Sequence, residues 1–385
     1  MPSTRAADVN GACVPCLRRS WLLASLSGPL EYCARDRERL QALLAVEDAE
    51  LIDAIGGRRR AELRGEYASF GAHSLHRCAG AQALCRHDPR YPRALLDATG
   101  APRMLNVLGG AERLVELCSA PAVAILGSRR PSDYGRETAR GLARGLSASG
   151  VSVIAGWQDG IAIASHEGAL EAGGATVAVL SDGIEATTPV RRRALLGRLA
   201  RAGCAVSELP CDRAGRRWGQ LASERTVVAL AAVAIVVEAE QTAGDLAAAG
   251  LAEALERTIA AVPGRVTSPL SRGTNAMLAR GASIVRDAQD VLELLYEADP
   301  SRARTAKPES GPAAGAPLDA RLQGLLERVG TGSDTPDSLA REGLRLDDAL
   351  AGLSELELMG LLSRGDGGRY LPASPTSAAT RIPNS

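Results

Sequence analysis

The sequence has few aromatic residues, one lysine and no net charge. Aromatic side chains make up 3% of the chain and hydrophobic ones 45%, so the core must consist mainly of Ala, Val, Leu and Ile. A formal net charge of zero excludes a global attraction to nucleic acid or membranes, and any such partner must be bound by a local patch. Because Lys307 is the only lysine in an Ala- and Gly-rich chain, the abundant arginine indicates a GC-rich coding bias and is weak evidence for phosphate binding.

Several sequence motifs are absent as well. The chain has neither the GxGxxG pattern of dinucleotide-binding proteins nor the GxxxxGK[ST] pattern of triphosphate-binding loops. No apolar segment is long enough to span a bilayer, and the N-terminal stretch lacks the apolar segment of a secretory signal. We therefore expect a cytoplasmic protein that uses no cofactor.

The eight cysteines are scattered through a long chain, which favours reduced thiols over a disulfide framework. Cys13 and Cys16 form a single CxxC motif, whereas a zinc site requires four ligands. Further candidate ligands are Cys33, Cys78, Cys85, His73, His76 and His87. Because there is no second CxxC motif, we expect no bound metal, with zinc as the alternative.

Residues 120–298 alternate between short apolar runs and amphipathic stretches. The apolar runs are PAVAILG, VSVIAG, ATVAVLS, CAVSEL, VAIVVEA, TIAAVPG and SIVRD. Continuous apolar strands separated by helical stretches are typical of a parallel sheet that is covered on both faces. The prediction is an α/β fold with a Rossmann-like, doubly wound and mostly parallel sheet.

Composition divides the rest of the chain. The predicted division is a helical N-terminal region (1–85), a connector (86–119), the Rossmann-like domain (120–298), a flexible linker (299–317), a winged-helix-like domain (318–372) and a disordered tail (373–385). Leucines at helical spacing mark the first region, as at Leu40, Leu43 and Leu44, and prolines mark the connector and linker. The winged-helix-like domain has six Arg against ten Asp and Glu, which predicts a protein-contact module rather than a duplex reader.

The stretch AILGSRRPSDYG places a Gly-Ser-Arg turn between the first strand and the first helix of the sheet. Ligands bind open parallel sheets at the carboxyl ends of the strands, and the free N–H groups of a helix N-terminus attract phosphate. Gly127 would permit a tight turn, Ser128 would donate its hydroxyl, and Arg129 would clamp a single phosphate. The alternative is a hydrophilic turn without a ligand.

Two further loops are predicted at the same edge of the sheet. Gly156 ends the second strand and Gly160 begins the next helix, which would create a second backbone anion site. Asn275 lies in a glycine-punctuated loop that is either beside the ligand groove or a plain connector. His166, inside the helix after Gly160, is more typical of a packed side chain than of a catalyst.

The order of these motifs resembles the DNA-processing protein A family, also called DprA or Smf. The segments AILGSRRPSDYGRETARGL, GALEAGGATVAVLSDGI, SELP, VAIVVEA and SPLSRGTNAMLARGASIVRDAQDVL follow one another in the family's order. The resemblance implies a protein without catalytic activity that binds single-stranded DNA, protects it and helps load the RecA recombinase during natural transformation. It also implies a homodimer formed through the Rossmann-like domain.

Site residues are carried over position by position. Gly127, Ser128 and Arg129 match the family's phosphate-contacting turn, and Arg225 matches a second basic element. The full set of candidate DNA- and phosphate-binding residues is Gly127, Ser128, Arg129, Tyr134, Gly156, Gly160, Arg225, Gly244 and Asn275.

Several polar positions depart from the family pattern. The element Ser-Gly-x-Ala-Arg-Gly-Ile-Asp reads AGWQDGIA here, so Asp159 and Ala162 replace an Arg and an Asp. The element Arg-Asn-Arg reads Ser223, Glu224 and Arg225, and Ser-Gly-Ser-Leu-Ile-Thr reads AGDLAA. These changes add negative charge to the predicted groove and predict reduced DNA affinity.

Two alternative functions remain open at this point. A nucleoside-phosphate hydrolase of the lysine-decarboxylase-like (LOG) type has a related fold, but its Pro-Gly-Gly-x-Gly-Thr motif has only VPGRVTSP as a match here. A degenerate family member could act solely as a protein-interaction scaffold, which the lost polar residues favour.

Overall fold

A nine-stranded sheet organises the larger of the two units into which the chain divides, Met1–Pro300 and Ser301–Ser385. The structure is a computed structural model that describes residues 11–71, 78–186, 190–240, 247–298, 319–330, 335–341, 343–358, 361–364 and 370–372. Within these residues, no helix is both long and apolar enough to cross a membrane. The predicted linker and tail lie outside the described residues.

The sheet is mostly parallel. Its strands are β1 Ala81–Cys85, β2 Met104–Leu108, β3 Ala122–Leu126, β4 Ser152–Gly156, β5 Thr176–Leu180, β6 Cys204–Ser207, β7 Val233–Val236, β8 Thr258–Ala261 and β9 Ser283–Ile284. Their spatial order is β1-β2-β6-β5-β4-β3-β7-β8-β9. The β1–β2 and β2–β6 pairs are antiparallel and the others are parallel. The predicted α/β fold with a Rossmann-like sheet is confirmed.

Helices cover both faces of the sheet. The helices of the larger unit are α1 Val14–Ser25, α2 Ser27–Cys33, α3 Arg37–Ala45, α4 Asp48–Ile55, α5 Arg60–Ala68, α6 Arg93–Leu96, α7 Ala111–Ser119, α8 Asp133–Ala148, α9 Ile161–Glu171, α10 Val190–Ala202, α11 Arg216–Ala229, α12 Ala247–Ala254, α13 Arg272–Ala279 and α14 Ala288–Ala298. Side chains of β3 alternate between two cores, since Ala124 packs with α7, α11 and α12, and Val123 packs with α8, α9 and α14. The continuous apolar runs thus bury both faces of each central strand.

The N-terminal helices α1–α5 form a separate core against α11. Leu22, Leu40 and Leu51 are buried in this core with Trp218 of α11. The helical pattern marked by Leu40, Leu43 and Leu44 ends with α3, because Val46 and Glu47 have extended backbone angles between α3 and α4. The apolar side is nevertheless buried in both helices.

The region predicted as a connector, 86–119, contributes more than turns. It contains β2 and α7, and β1 lies just before it, so this part of the chain adds an antiparallel edge to the sheet. Cys78, next to β1, forms a disulfide with Cys211, which follows β6. The expectation of reduced thiols is wrong for this pair, while the other six cysteines are free.

The described residues of the second unit form three helices and a short hairpin. Its elements are α15 Ala320–Gly330, α16 Pro336–Arg341, α17 Leu346–Leu358, β10 Leu362–Arg364 and β11 Tyr370–Pro372. Leu325, Leu339 and Leu353 are buried together with Tyr370 of β11. Asp347 and Asp348 are exposed in the first turn of α17, as the acidic pattern of this helix predicts.

Candidate nucleic-acid interface

The Gly-Ser-Arg turn follows β3 and is held on both sides by backbone hydrogen bonds. Ser128 N donates to the carbonyl oxygen of Glu238 at 2.7 Å, and Ile161 N donates to the carbonyl oxygen of Ser128 at 3.1 Å. A Cβ atom on Gly127 would lie 2.9 Å from both Glu238 O and Ile161 Cγ1. Glycine is therefore required here for close approach of the loops after β7 and β4.

Gly160 brings the loop after β4 against this turn. Its φ of +92° is in the region that favours glycine, and an added Cβ would overlap Ser128 O and lie 2.7 Å from the carbonyl carbon of Arg129. Gly156, the last residue of β4, lies at the same carboxyl-terminal edge of the parallel strands as Gly127. The structure thus brings together Gly127, Arg129 and these two glycines, at the strand ends where the sequence places them.

The N-terminus of α8 is occupied by a carboxylate. Ser132, the N-cap residue, donates its N–H to Glu238 Oε2 at 2.9 Å and its hydroxyl to Glu238 Oε1 at 2.6 Å. Glu238 is 3% exposed. The prediction that this helix end offers free N–H groups to a phosphate therefore requires correction. Glu238 was missed, although a glutamate directly after the apolar run VAIVV is visible in the sequence.

A small cavity of about 100 Å³ opens beside the turn, where the chain order of the parallel strands reverses at β3. Its walls come from the ends of β3, β4 and β7 and from α11. This reversal point is where open α/β sheets bind their ligands. The charged groups at the cavity are Arg129, Asp159 and Glu224, and the side chain of Arg129 is exposed.

Each of the two acidic residues at the cavity is paired with an arginine from another helix. Asp159 forms an ion pair with Arg192 of α10, which also donates to the carbonyl oxygen of Trp157 at 2.6 Å. Glu224 forms an ion pair with Arg37 of α3 at 2.8 Å. The negative charge added at these positions is therefore partly neutralised.

Tyr134 and Asn275 support a neighbouring loop rather than line the cavity. The Tyr134 hydroxyl donates to the carbonyl oxygen of Pro263 at 3.1 Å, and the ring is 53% exposed. The Asn275 side-chain amide donates to Gly264 O at 3.1 Å and accepts from Gly264 N at 3.2 Å. Both residues thus hold the loop after β8, and the Tyr134 ring remains accessible to solvent.

Arg225 is not placed at this cavity. The residue is 4% exposed, and its guanidinium donates to Glu208 Oε2 at 2.8 Å. Burial raises the pKa of Glu208, and the arginine opposes that rise. The Arg225 side chain is buried in the protein interior, so it is withdrawn from the candidate phosphate contacts. Gly244 lies outside the described residues.

His166 has a structural environment. Its Nε2 is 2.9 Å from the carbonyl oxygen of Gly156 and its Nδ1 is 2.9 Å from Thr176 Oγ1. Burial lowers its pKa to about 4, so the ring is neutral at physiological pH. The ring therefore contacts the last residue of β4 through Gly156 O, in keeping with its interpretation as a packed side chain.

A second cluster of chemistry-bearing side chains lies away from the cavity. Ligand atoms of Cys13, Cys16, Cys85 and His87 lie within 4.8 Å of one another. The sequence suggested these residues among eight candidates, while the prediction was that no metal is bound. Their assembly from two distant segments could not be derived from a single CxxC motif.

Comparisons with known proteins agree with this fold. The family model described as DNA recombination-mediator protein A matches residues 82–296. A protein of Mycobacterium tuberculosis named as a DNA processing protein DprA is 35% identical over 342 residues, which cover 88% of this chain and 83% of that protein.

Two solved structures have a similar fold. The DNA processing protein A of Streptococcus pneumoniae superposes with a TM-score of 0.57 at 24% identity, covering 72% of this chain and 95% of that one. The DNA processing protein A of Helicobacter pylori, whose single-stranded DNA binding mode was described, superposes with a TM-score of 0.50 at 26% identity. The match covers 56% of this chain and 96% of that one. The resemblance found in the motifs is thereby confirmed, and the chain belongs to the DNA recombination-mediator protein A family, known as DprA or Smf.

Proposed function

We propose that this protein binds single-stranded DNA in the cytoplasm, protects it and assists RecA loading during DNA uptake and recombination. Family membership and the single-stranded DNA binding of the Helicobacter pylori relative support this function. The structural observation that carries it is the exposed Arg129 on a rigid turn at the reversal point of the sheet. There it would contact a backbone phosphate through its guanidinium.

The size of the cavity favours a nucleic-acid backbone over a free nucleotide. Pockets for small-molecule ligands and cofactors usually measure about 300–1,000 Å³, whereas this cavity measures about 100 Å³. A strand that runs across the surface needs only shallow phosphate contacts, with bases stacked on accessible aromatic rings. Tyr134 offers such a ring beside the turn. The hydrolase alternative, which needs an enclosed nucleotide pocket, is not favoured.

The test is equilibrium binding of single-stranded and double-stranded oligonucleotides across a salt series. We expect the wild-type chain to bind single strands with an affinity that falls as salt rises. Arg129→Ala should weaken binding on the order of tenfold, since a charge-assisted contact is lost. Arg58→Ala, at an exposed arginine that does not line the cavity, is the matched control. Equal effects of the two substitutions would contradict the assignment of Arg129.

The two acidic residues at the cavity support the scaffold alternative. Asp159 and Glu224 line the same cavity as Arg129, and a groove that repels DNA would leave the protein with protein partners alone. The same titration separates the two functions, because a scaffold would show no salt-dependent binding by the wild-type chain at low salt.

The proposal also includes RecA loading, dimerisation and a role for the second unit. We propose a homodimer through the Rossmann-like domain, with the acidic winged-helix-like domain serving as a protein contact. Light scattering of the full chain would give the oligomeric state. RecA filament assembly on coated single strands should accelerate when the protein is added, and an unchanged rate would exclude the loading role.

A further inference from the structure

Four side chains from two distant segments converge at the edge of the sheet. They are Cys13 and Cys16 at the start of α1, Cys85 at the end of β1, and His87 two residues later, and together they are called the Cys3His cluster. We propose that the Cys3His cluster binds one zinc ion as a structural site. This inference goes beyond DNA binding and does not depend on it.

The interatomic distances fit tetrahedral coordination. With Zn–S bonds of about 2.3 Å, sulfur atoms around one ion lie about 3.8 Å apart. The Sγ atoms of Cys85 and Cys13 are 3.9 Å apart. His87 Nδ1 lies 3.3 Å from Cys13 Sγ and 3.4 Å from Cys16 Sγ. All four donors are thus close to the positions that an ion would require.

The donor set selects zinc among common metals. Three thiolates and one imidazole are typical of closed structural zinc sites, whereas iron–sulfur clusters are usually held by four cysteines. Zinc with three thiolates carries a net charge of about −1. Arg86 lines the cavity next to Cys16 and His87, where it would compensate this charge, whereas Arg103 of the same cavity is paired with Glu47 at 2.7 Å. The same cavity and the exposed His87 give the ion a route of entry.

The cluster lies where it would join two parts of the fold. Cys16 and Cys85 are buried in a small core with Leu17, Phe70 and Met104. The chain before α1 runs against β1, because a Cβ on Gly11 would lie 2.7 Å from Ala83 O. Four protein ligands leave no open position for substrate or water, so the ion would pin the N-terminal helices to the edge of the sheet.

The experiment measures metal content on the full chain, purified under reducing conditions without metal-affinity chromatography. We expect about one zinc per chain by atomic emission, and tetrahedral cobalt absorption with thiolate charge-transfer bands after exchange. His87→Ala and Cys85→Ser should lose the metal, while Cys33→Ser, at a free buried cysteine outside the cluster, should retain it. His87 is exposed, so its removal tests the site even where Cys85→Ser fails to fold.

Thermal unfolding supplies a second readout. The Tm of the wild-type chain should fall after metal removal by a chelator and recover when zinc is added, and the Tm of His87→Ala should not respond to either treatment. A wild-type chain that contains no zinc and takes up none on reconstitution would overturn the proposal. Retention of zinc by both cluster variants, or a disulfide between Cys13 and Cys85 in reducing buffer, would overturn it equally.

Discussion

Glu238 accepts two hydrogen bonds from Ser132, one from its backbone N–H at 2.9 Å and one from its hydroxyl at 2.6 Å. The same residue accepts from Ser128 N through its carbonyl oxygen at 2.7 Å. One buried glutamate thus neutralises the positive end of α8 and fixes the Gly-Ser-Arg turn. In the proposed interface, a DNA phosphate therefore meets the side chain of Arg129 rather than the end of the helix.

Glu238→Gln should lower the free energy of unfolding by about 1–2 kcal/mol, because it removes a buried charge from the N-terminus of α8 while keeping the shape of the side chain. Urea denaturation measures the change. Glu240→Gln, at an exposed position two residues later, should change it by less than about 0.5 kcal/mol. Identical losses for the two variants would refute a specific role for Glu238.

Gly160→Ala should weaken single-stranded DNA binding, because the new Cβ would push into the backbone of Ser128 and Arg129. Gly150→Ala is the matched control, since Gly150 also has a positive φ of +76° but nothing within 4 Å of an added Cβ. Gly150→Ala should cost about 1–2 kcal/mol of stability through backbone strain alone. Gly160→Ala should cost more, because its Cβ also overlaps neighbouring backbone atoms. Only Gly160→Ala should alter binding, and an equal effect of Gly150→Ala would remove Gly160 from the interface.

Asp159→Asn should tighten single-stranded DNA binding by about twofold to fivefold, the range expected for one partly exposed charge. The substitution removes a negative charge beside Arg129 and breaks the ion pair of Asp159 with Arg192. Asp53→Asn produces the same change in net charge among the N-terminal helices and serves as the control. Unchanged or weaker binding by Asp159→Asn would show that DNA does not pass this position.

The central strands and the site glycines could be predicted because each depends on local sequence. A run such as VAIVV is buried on both faces wherever it lies in a parallel sheet. Gly127 follows such a run directly, and Gly160 lies four residues after the end of another. The antiparallel strands β1 and β2 were missed because AQALC and MLNVL are short and lie among prolines and turns. Their pairing is fixed by tertiary contacts.

Side-chain partners that are distant in sequence could not be predicted at all. Arg225 matches a basic family element, yet its charge is satisfied by Glu208 inside the protein. The pairing of Asp159 with Arg192 likewise depends on how α10 packs, which no local pattern encodes.

Arg225→Ala should lower stability by about 3–5 kcal/mol, because Glu208 would be left as an unpaired buried carboxylate. The folded protein should bind DNA as the wild type does, since Arg225 does not reach the cavity. Combining Arg225→Met with Glu208→Gln should restore much of the stability, as judged by denaturant unfolding. If Arg225→Ala loses DNA binding while its stability is unchanged, Arg225 contacts a DNA phosphate after all.

The stability of the protein should fall as pH drops from 6.5 to 4, in part because of His166. Burial lowers the pKa of this histidine from 6.5 to about 4, so in this range the unfolded chain binds a proton that the folded chain does not. The contribution of the neutral His166 to the free energy of unfolding is fully present above pH 6.5. About 3 kcal/mol of it is lost by pH 4. His166→Gln should flatten this part of the pH profile of unfolding, and an identical slope in the variant would contradict the assignment.

A crystal structure of the full chain with a short single-stranded oligonucleotide tests the proposed interface most directly. We predict a backbone phosphate within hydrogen-bonding distance of the Arg129 guanidinium, with the strand passing the ends of β3 and β4. A strand bound on another face, with Arg129 in solvent, would contradict the proposed interface.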